Sequence, residues 1–324
     1  MGWVWLGTGF GCDVAHRPIG ADSATILLLM AQLRVIKNRM GAVGTIGRIT
    51  KTMQMIATAK FTSASQRAKA TKPYTERIRA LVHEVSSSAS DYGSPLIHGH
   101  GDAKKRELLL VITSDRGMCG AYNGNILKAA NQYIRSCRER GIEVDIEVSG
   151  KKAVNFFRFQ KIDLISKHEV GDVPAYEDVE KIASSMIRRY AAGEYDAVHV
   201  VYTQFISNAR QNAVVSQLLP MTPPAEDESS GAAAEQARQV VYEFQPSVDE
   251  LLDDLLPLMA KTVLFQSFND AVVSEHIMRM IAMKSATENS KDVGRALKQQ
   301  FNRARQSQIT TELTEIISGA AALE

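Results

Sequence analysis

From Pro257 to the last residue, 67 positions pass without a proline, and the only glycines among them are Gly294 and Gly319. Proline and glycine are the residues that most readily end a helix, so a run this bare of both can hardly be anything but one long helix. Apolar residues recur at Val293, Leu297, Phe301 and Ala304, then at Ile309, Leu313, Ile316 and Ala320. That spacing of three to four is one face of a helix. At 1.5 Å per residue the helix would be on the order of 100 Å long. A helix of that length must be a coiled coil or be held by other chains. Its start is expected near Ser247, a cap with Asp249 and Glu250 in the first turn.

A second long helix opens the chain. From Met30 to Thr75 there are nine Lys and Arg and no Asp or Glu. Apolar residues at Leu33, Ile36, Met40, Val43, Ile46, Ile49, Met53 and Ile56 mark its stripe. Consecutive steps of three from Val43 to Ile49 break a strict heptad, which reads as a stammer. Gly41, Gly44 and Gly47 each cost about 1 kcal/mol relative to Ala, and close approach of another helix is the expected compensation. Pro73 is the first strong breaker, so the helix is expected to run unbroken for about 60 Å. The two helices can pair antiparallel, and the longer C-terminal one is expected to overhang its partner by tens of ångströms.

Between them the period changes. ELLLVITSD (107–115), EVDIEVSG (143–150) and YDAVHVVYTQF (195–205) have strand length and β-rich composition, with helical stretches at 123–140, 151–159 and 176–192. Alternation of this kind predicts an α/β domain with a largely parallel sheet. Segments 212–220 and 239–246 read as later strands, separated by a polar loop rich in small residues. The organisation is therefore a disordered extension or misassigned start over 1–29, an N-terminal coiled-coil helix over 30–90, an α/β domain over 105–246 and a C-terminal coiled-coil helix over 247–324.

Composition excludes little. The net charge is +2, and no segment reaches the ~18–20 apolar residues needed to span a bilayer. The three cysteines, Cys12, Cys119 and Cys137, form no CxxC pair, and unpaired reduced thiols follow. The turn SDRGMCG (114–120) has the spacing of neither common phosphate-binding glycine motif. Ser114 and Asp115 are expected to shape it and cap the next helix. His98 and His100 have no third ligand nearby, so no metal site and no cofactor are expected.

Three blocks carry a resemblance to a known family: ITKTMQMIATAKF (49–61), TSDRGMCGAYN (113–123), and SEHIMRMIAMKSATENS followed by NRARQSQITTELTEIISGAAAL (274–290 and 302–323). They resemble the gamma subunits of F-type ATP synthases, and the resemblance extends from Met30 to Glu324. MAQLRVIKNRM, from Met30, is similar to a bacterial beginning. The middle zone lacks the cysteine-bearing insertion of chloroplast members.

The resemblance implies a long antiparallel coiled coil of N- and C-terminal helices plus a Rossmann-like α/β domain. It implies a central rotor stalk turning inside a ring of alpha and beta subunits, with the domain against the epsilon subunit and the membrane c-ring. Such a subunit has no active site of its own. It couples proton flow to sequential changes in the catalytic beta subunits, and sits peripherally on the cytoplasmic face of the bacterial inner membrane. Residue by residue, Arg305, Gln306 and Thr310 match positions that hydrogen-bond a beta-subunit loop. Met53, with Lys51, matches the contact with the acidic beta lever. Ile316, Ile317, Gly319, Ala320, Ala321 and Ala322 match the axle tip in its bearing, and Tyr242 and Glu243 match the foot on the c-ring and epsilon.

The tip also has a physical reading. After Arg305 the chain carries no Lys or Arg. Small apolar residues make shallow, non-directional contacts, whereas a desolvated ion pair would lock one angle. Two other classes stay open on the residues alone. A nucleic-acid-binding coiled coil would use the basic helix and show steep salt dependence; an enzyme built on the α/β middle would turn over as an isolated chain.

Overall fold

The computed structural model describes residues 21–88, 94–100, 105–221 and 248–322, with side chains of the first helix from Leu33 onward. Expectations for the segments 1–20, 222–247 and 323–324 lie outside the described residues. That includes Cys12, the strand at 239–246, Tyr242 and Glu243.

Among the described residues six helices and five strands follow in order. They are α1 (Ala21–Ser88), α2 (Pro95–His98), β1 (Arg106–Ile112), α3 (Tyr122–Glu139), β2 (Glu143–Ser149) and α4 (Lys151–Phe159). After these come β3 (Ser166–His168), α5 (Tyr176–Ala191), β4 (Ala197–Phe205), β5 (Gln211–Leu219) and α6 (Val248–Ala321). Contacts divide the chain into two units, residues 1–49 with 286–324, and residues 50–285.

In the larger unit the sheet order is β3-β2-β1-β4-β5. β1 runs parallel to β2 and β4, β2 parallel to β3, and β4 antiparallel to β5. The alternation read in the sequence thus gives the expected parallel sheet with one reversed edge. Leu108, Leu110, Val198 and Val200 bury on one face against α5, α6 and Ile78, Val82 and Val85 of α1. Leu109, Val111, Ile146 and Val148 bury on the other against α3 and α4. The short edge strand β3 holds His168, which meets the buried Glu147 at 2.8 Å while Arg189 closes on the same carboxylate at 2.6 Å.

α1 does not stop at Pro73 but continues to Ser88. The proline forfeits one backbone hydrogen bond, and burial of Ile78, Val82 and Val85 carries the helix past it. Pro257 likewise lies inside α6, next to buried Leu256 and Met259. α1 also begins at Ala21, within the segment read as a disordered extension.

The smaller unit is a helical pair. Leu33, Ile36, Met40, Val43 and Gly47 of α1 are partly covered, and so are Ser290, Gly294, Leu297, Phe301, Ala304 and Gln308 of α6. A Cβ on Gly47 would sit 3.4 Å from that of Ser290, and one on Gly294 would sit 4.0 Å from Val43 Cγ1. The helices therefore run antiparallel. Both seams step three, four, three, four, which is an unbroken heptad, so the expected stammer is not there. The seam passes from Val43 to Gly47, leaving Ile46 and Ile49 about half exposed. Only Gly47 of the three glycines meets a neighbour; Gly41 and Gly44 have nothing within 4 Å. Residues three apart drift about 60° per step around a 3.6-residue helix, so all three could not face one partner.

The helices contain 68 and 74 residues, so they are of nearly equal length.

Candidate functional site

The helical pair carries apolar residues on its covered and its exposed faces alike. Its seam mixes Gly47, Ser290, Gly294 and Gln308 with Leu33, Ile36, Met40, Val43, Leu297 and Phe301, while Val35, Ile46, Ile49, Val293, Ile309, Leu313, Ile316 and Ile317 are exposed. Ile316 is 70% and Ile317 63% exposed. Sequence reasoning put Ile46, Ile49, Ile309 and Leu313 in the seam because hydrophobicity marks what is apolar, not what is covered. A row of exposed large apolar residues on a soluble surface marks an interaction site.

The predicted polar contacts lie on the same helix. Arg305, Gln306 and Thr310 are all exposed. Thr310 donates its hydroxyl to the Gln306 carbonyl at 2.9 Å, one turn apart on one face. The Arg305 guanidinium has no partner among the described residues, and its five donors stay available to an acceptor on another chain. At the tip, Gly319, Ala320, Ala321 and Ala322 are exposed, and nothing lies within 4 Å of Gly319. In the other unit Lys51 is exposed and without a hydrogen bond or ion pair among the described residues, and Met53 is partly covered.

The turn after β1 grips α6. Ser114 Oγ donates to the Arg116 carbonyl at 2.7 Å, and the Ser114 amide donates to Asn123 Oδ1 at 3.1 Å. Asp115 accepts the Lys151 amide at 2.9 Å. It therefore caps α4, two elements on, and not the next helix as expected. Thr113 Oγ1 accepts the Ala153 amide at 3.0 Å and the Ser114 carbonyl accepts that of Lys152 at 3.2 Å. The first amides of α4 are thus filled by protein, with no room for a phosphate. Gly150, at φ +98°, is obligatory here, since a Cβ would come 2.1 Å from the Thr113 carbonyl oxygen.

From α6, Arg279 Nη2 donates to the carbonyls of Arg116 at 3.2 Å and Gly117 at 3.5 Å, while Nη1 meets Glu275 at 2.7 Å. Ser274 donates to the Thr203 carbonyl at 3.1 Å, at the end of β4. A Cβ on Gly120, at φ +60°, would sit 3.7 Å from that of Ala282. In doubly wound sheets ligands bind outside the carboxyl ends of the strands, where the strand order reverses. Here that crevice, between the ends of β1 and β4, is occupied by α6. Sequence reasoning missed Glu275 and Arg279; an acid and a base four apart in an otherwise apolar run were the available signal. Cys119 is buried and accepts from Asn123 Nδ2 at 3.1 Å, as a packed thiol.

Comparison with known proteins places the chain in a family. A family profile described as ATP synthase matches residues 32–323. The ATP synthase gamma chain of Rhodopirellula baltica is 40% identical over 296 residues, covering 91% of this chain and all of the relative. The chain belongs to the gamma-chain family of ATP synthases. Solved structures support the gamma-chain fold. A chain in the rotor of the Euglena gracilis mitochondrial ATP synthase matches with a TM-score of 0.57 at 15% identity, covering 86% of this chain and 99% of that one. A chain in a second structure of that enzyme, which contains its c-ring, matches with a TM-score of 0.61 at 18% identity, covering 90% and 95%. No helix among the described residues of this gamma chain is long and apolar enough to cross a membrane.

Proposed function

We propose that this gamma chain is the central rotor of a proton-translocating F-type ATP synthase. It couples rotation of a membrane c-ring to successive conformational changes in catalytic beta subunits, and contributes no catalytic group of its own. The observation that carries the reading is the helical pair's exterior, which exposes Val35, Ile46, Ile49, Val293, Ile309, Leu313, Ile316 and Ile317 although the seam already covers apolar residues of its own. Such a surface is suited to enclosure by a collar of other subunits. Contacts from Ile309, Leu313, Ile316 and Ile317 vary little with angle, because dispersion and apolar burial are not directional. Gly319 to Ala322 continue this low-friction surface to the tip.

Arg305, Gln306 and Thr310 supply the complementary element. A charge-assisted bond from Arg305 to a beta-subunit acceptor forms at one angle and breaks at the next, defining a dwell. Met53 and Lys51 meet the acidic lever of beta. Beta has two or more conformations, and the shaft's angle biases which is populated. Tyr242 and Glu243 form the foot toward the c-ring and epsilon. The chain works peripherally on the cytoplasmic face of a bacterial inner membrane.

The test is rotation. Phe159 is 87% exposed at the end of α4, and Phe159→Cys gives a site for a probe. In a complex with alpha and beta subunits, ATP should drive stepped, unidirectional rotation of the probe. A complex that hydrolyses ATP with the probe stationary overturns the reading. Turnover by the isolated chain would favour the enzyme alternative.

A further inference from the structure

Within residues 50–285 a cavity of about 190 Å³ lies beside the grip on α6, at the carboxyl ends of β1 and β2. That is roughly ten times the space one water requires. Its walls are mostly apolar, with Ile112, Val170 and Phe268 among them. Its polar groups are unevenly satisfied. The acids are already engaged: Glu275 pairs with Arg279, Asp172 with Lys60 at 2.5 Å, and Asp115 caps α4. Three donors are not.

Tyr122 lines the cavity with only 1% of its surface exposed, and its hydroxyl has no hydrogen-bond partner among the described residues. His276, 5% exposed, also lines it. Its Nδ1 lies 3.4 Å from Arg279 Nη1, which can only donate. The neutral ring therefore carries its proton on Nε2, which has no partner among the described residues. Arg116 stands at the rim, exposed, its guanidinium without a hydrogen bond or ion pair among the described residues.

We propose that this cavity binds a small amphipathic carboxylate, with its apolar body against Phe268 and Ile112 and its oxygens accepting from Tyr122, His276 and Arg116. Unfilled donors over an apolar floor select an acceptor-bearing anion. A cation would face Arg116 and find Glu275 and Asp172 already ion-paired.

The experiment uses the full chain and three probes sharing one body: 3-phenylpropionate, 3-phenylpropanol and 3-phenylpropylamine. Binding is followed by saturation-transfer NMR and by titration. For a ligand of this size a Kd of about 1 mM is expected for the carboxylate, with the alcohol at least about tenfold weaker and no saturable binding of the amine. Arg116→Ala should weaken the carboxylate about tenfold and Tyr122→Phe several-fold, while Lys128→Ala, on the exposed side of α3, leaves it unchanged. Circular dichroism checks that each variant is folded; Arg116 is exposed, so its variant stands if Tyr122→Phe does not fold. Absence of saturable binding by the carboxylate overturns the proposal. So does binding of the amine at equal strength, or an affinity that Arg116→Ala leaves untouched.

Discussion

Arg279 reaches from α6 to the carbonyl oxygen of Arg116, 163 positions earlier in the chain, and donates to it at 3.2 Å. The guanidinium is spent on two backbone carbonyls and one partly buried carboxylate, Glu275. It fastens the long C-terminal helix to the turn after β1, where a doubly wound domain would otherwise open its ligand crevice.

Removing this guanidinium should be costly. Burial already pushes the Glu275 carboxyl up, and Arg279 is what pulls it back down. Arg279→Ala leaves that acid partly buried and unpaired, and a loss of about 3 kcal/mol follows by denaturant unfolding. Adding Glu275→Gln should recover part of it. An additive double variant would show that the pair is not coupled.

Two titrations in α6 oppose each other. Burial raises the Asp270 carboxyl from 3.8 to about 6, against the hydrogen bond from Gln266. Its contribution to stability is full below 3.8 and is lost as pH rises through about 6. Burial, and then the charge of Arg279, lowers His276 from 6.5 to about 4. Its contribution is full above 6.5 and is lost as pH falls through about 4. Asp270→Asn should remove the opposing titration and leave a chain that loses about 1–2 kcal/mol more than the native one between pH 7 and 4, with the shifts discounted for residual solvent. His276→Gln should leave one that gains a similar amount. Thermal midpoints across that window check both, and flat profiles for both variants would contradict the assignment.

The glycines of α1 separate by environment. Gly41 and Gly44 have nothing near them, so Gly41→Ala and Gly44→Ala should each stabilise the helix by up to about 1 kcal/mol. Gly47→Leu, facing Ser290, should force the helices apart and lower the thermal midpoint. Equal effects at all three sites would mean that Gly47 is not in the seam.

The order of the longer elements was legible because the period switches from 3.6 to 2 and back; the short α2 and the three-residue β3 carry too few residues to show a period. α4 begins and ends where the sequence placed it, at Lys151 and Phe159. The register of the helical pair was not. The eye follows Ile46 and Ile49, whereas the helix partly covers Gly47 and buries Thr50. Where a helix also exposes large apolar residues, apolar spacing points toward partners as well as toward the core. Pro73 misled because its local cost is outweighed by later burial at Ile78, Val82 and Val85. Asp115 misled because its partner, Lys151, is distant in sequence. Arg305 and Thr310 were legible only as resemblance; the structure adds that both are exposed.

The account stands on the apolar exterior of the helical pair being covered by other subunits. Ile317→Cys, in a chain whose Cys12 is replaced by Ser, puts a thiol at a position 63% exposed, while Cys119 and Cys137 stay buried. The rate of its modification by a water-soluble maleimide is measured in the free chain and in the assembled complex with alpha and beta subunits. The account predicts fast labelling of the free chain and protection of at least about tenfold on assembly. Equal rates in the two states would contradict it.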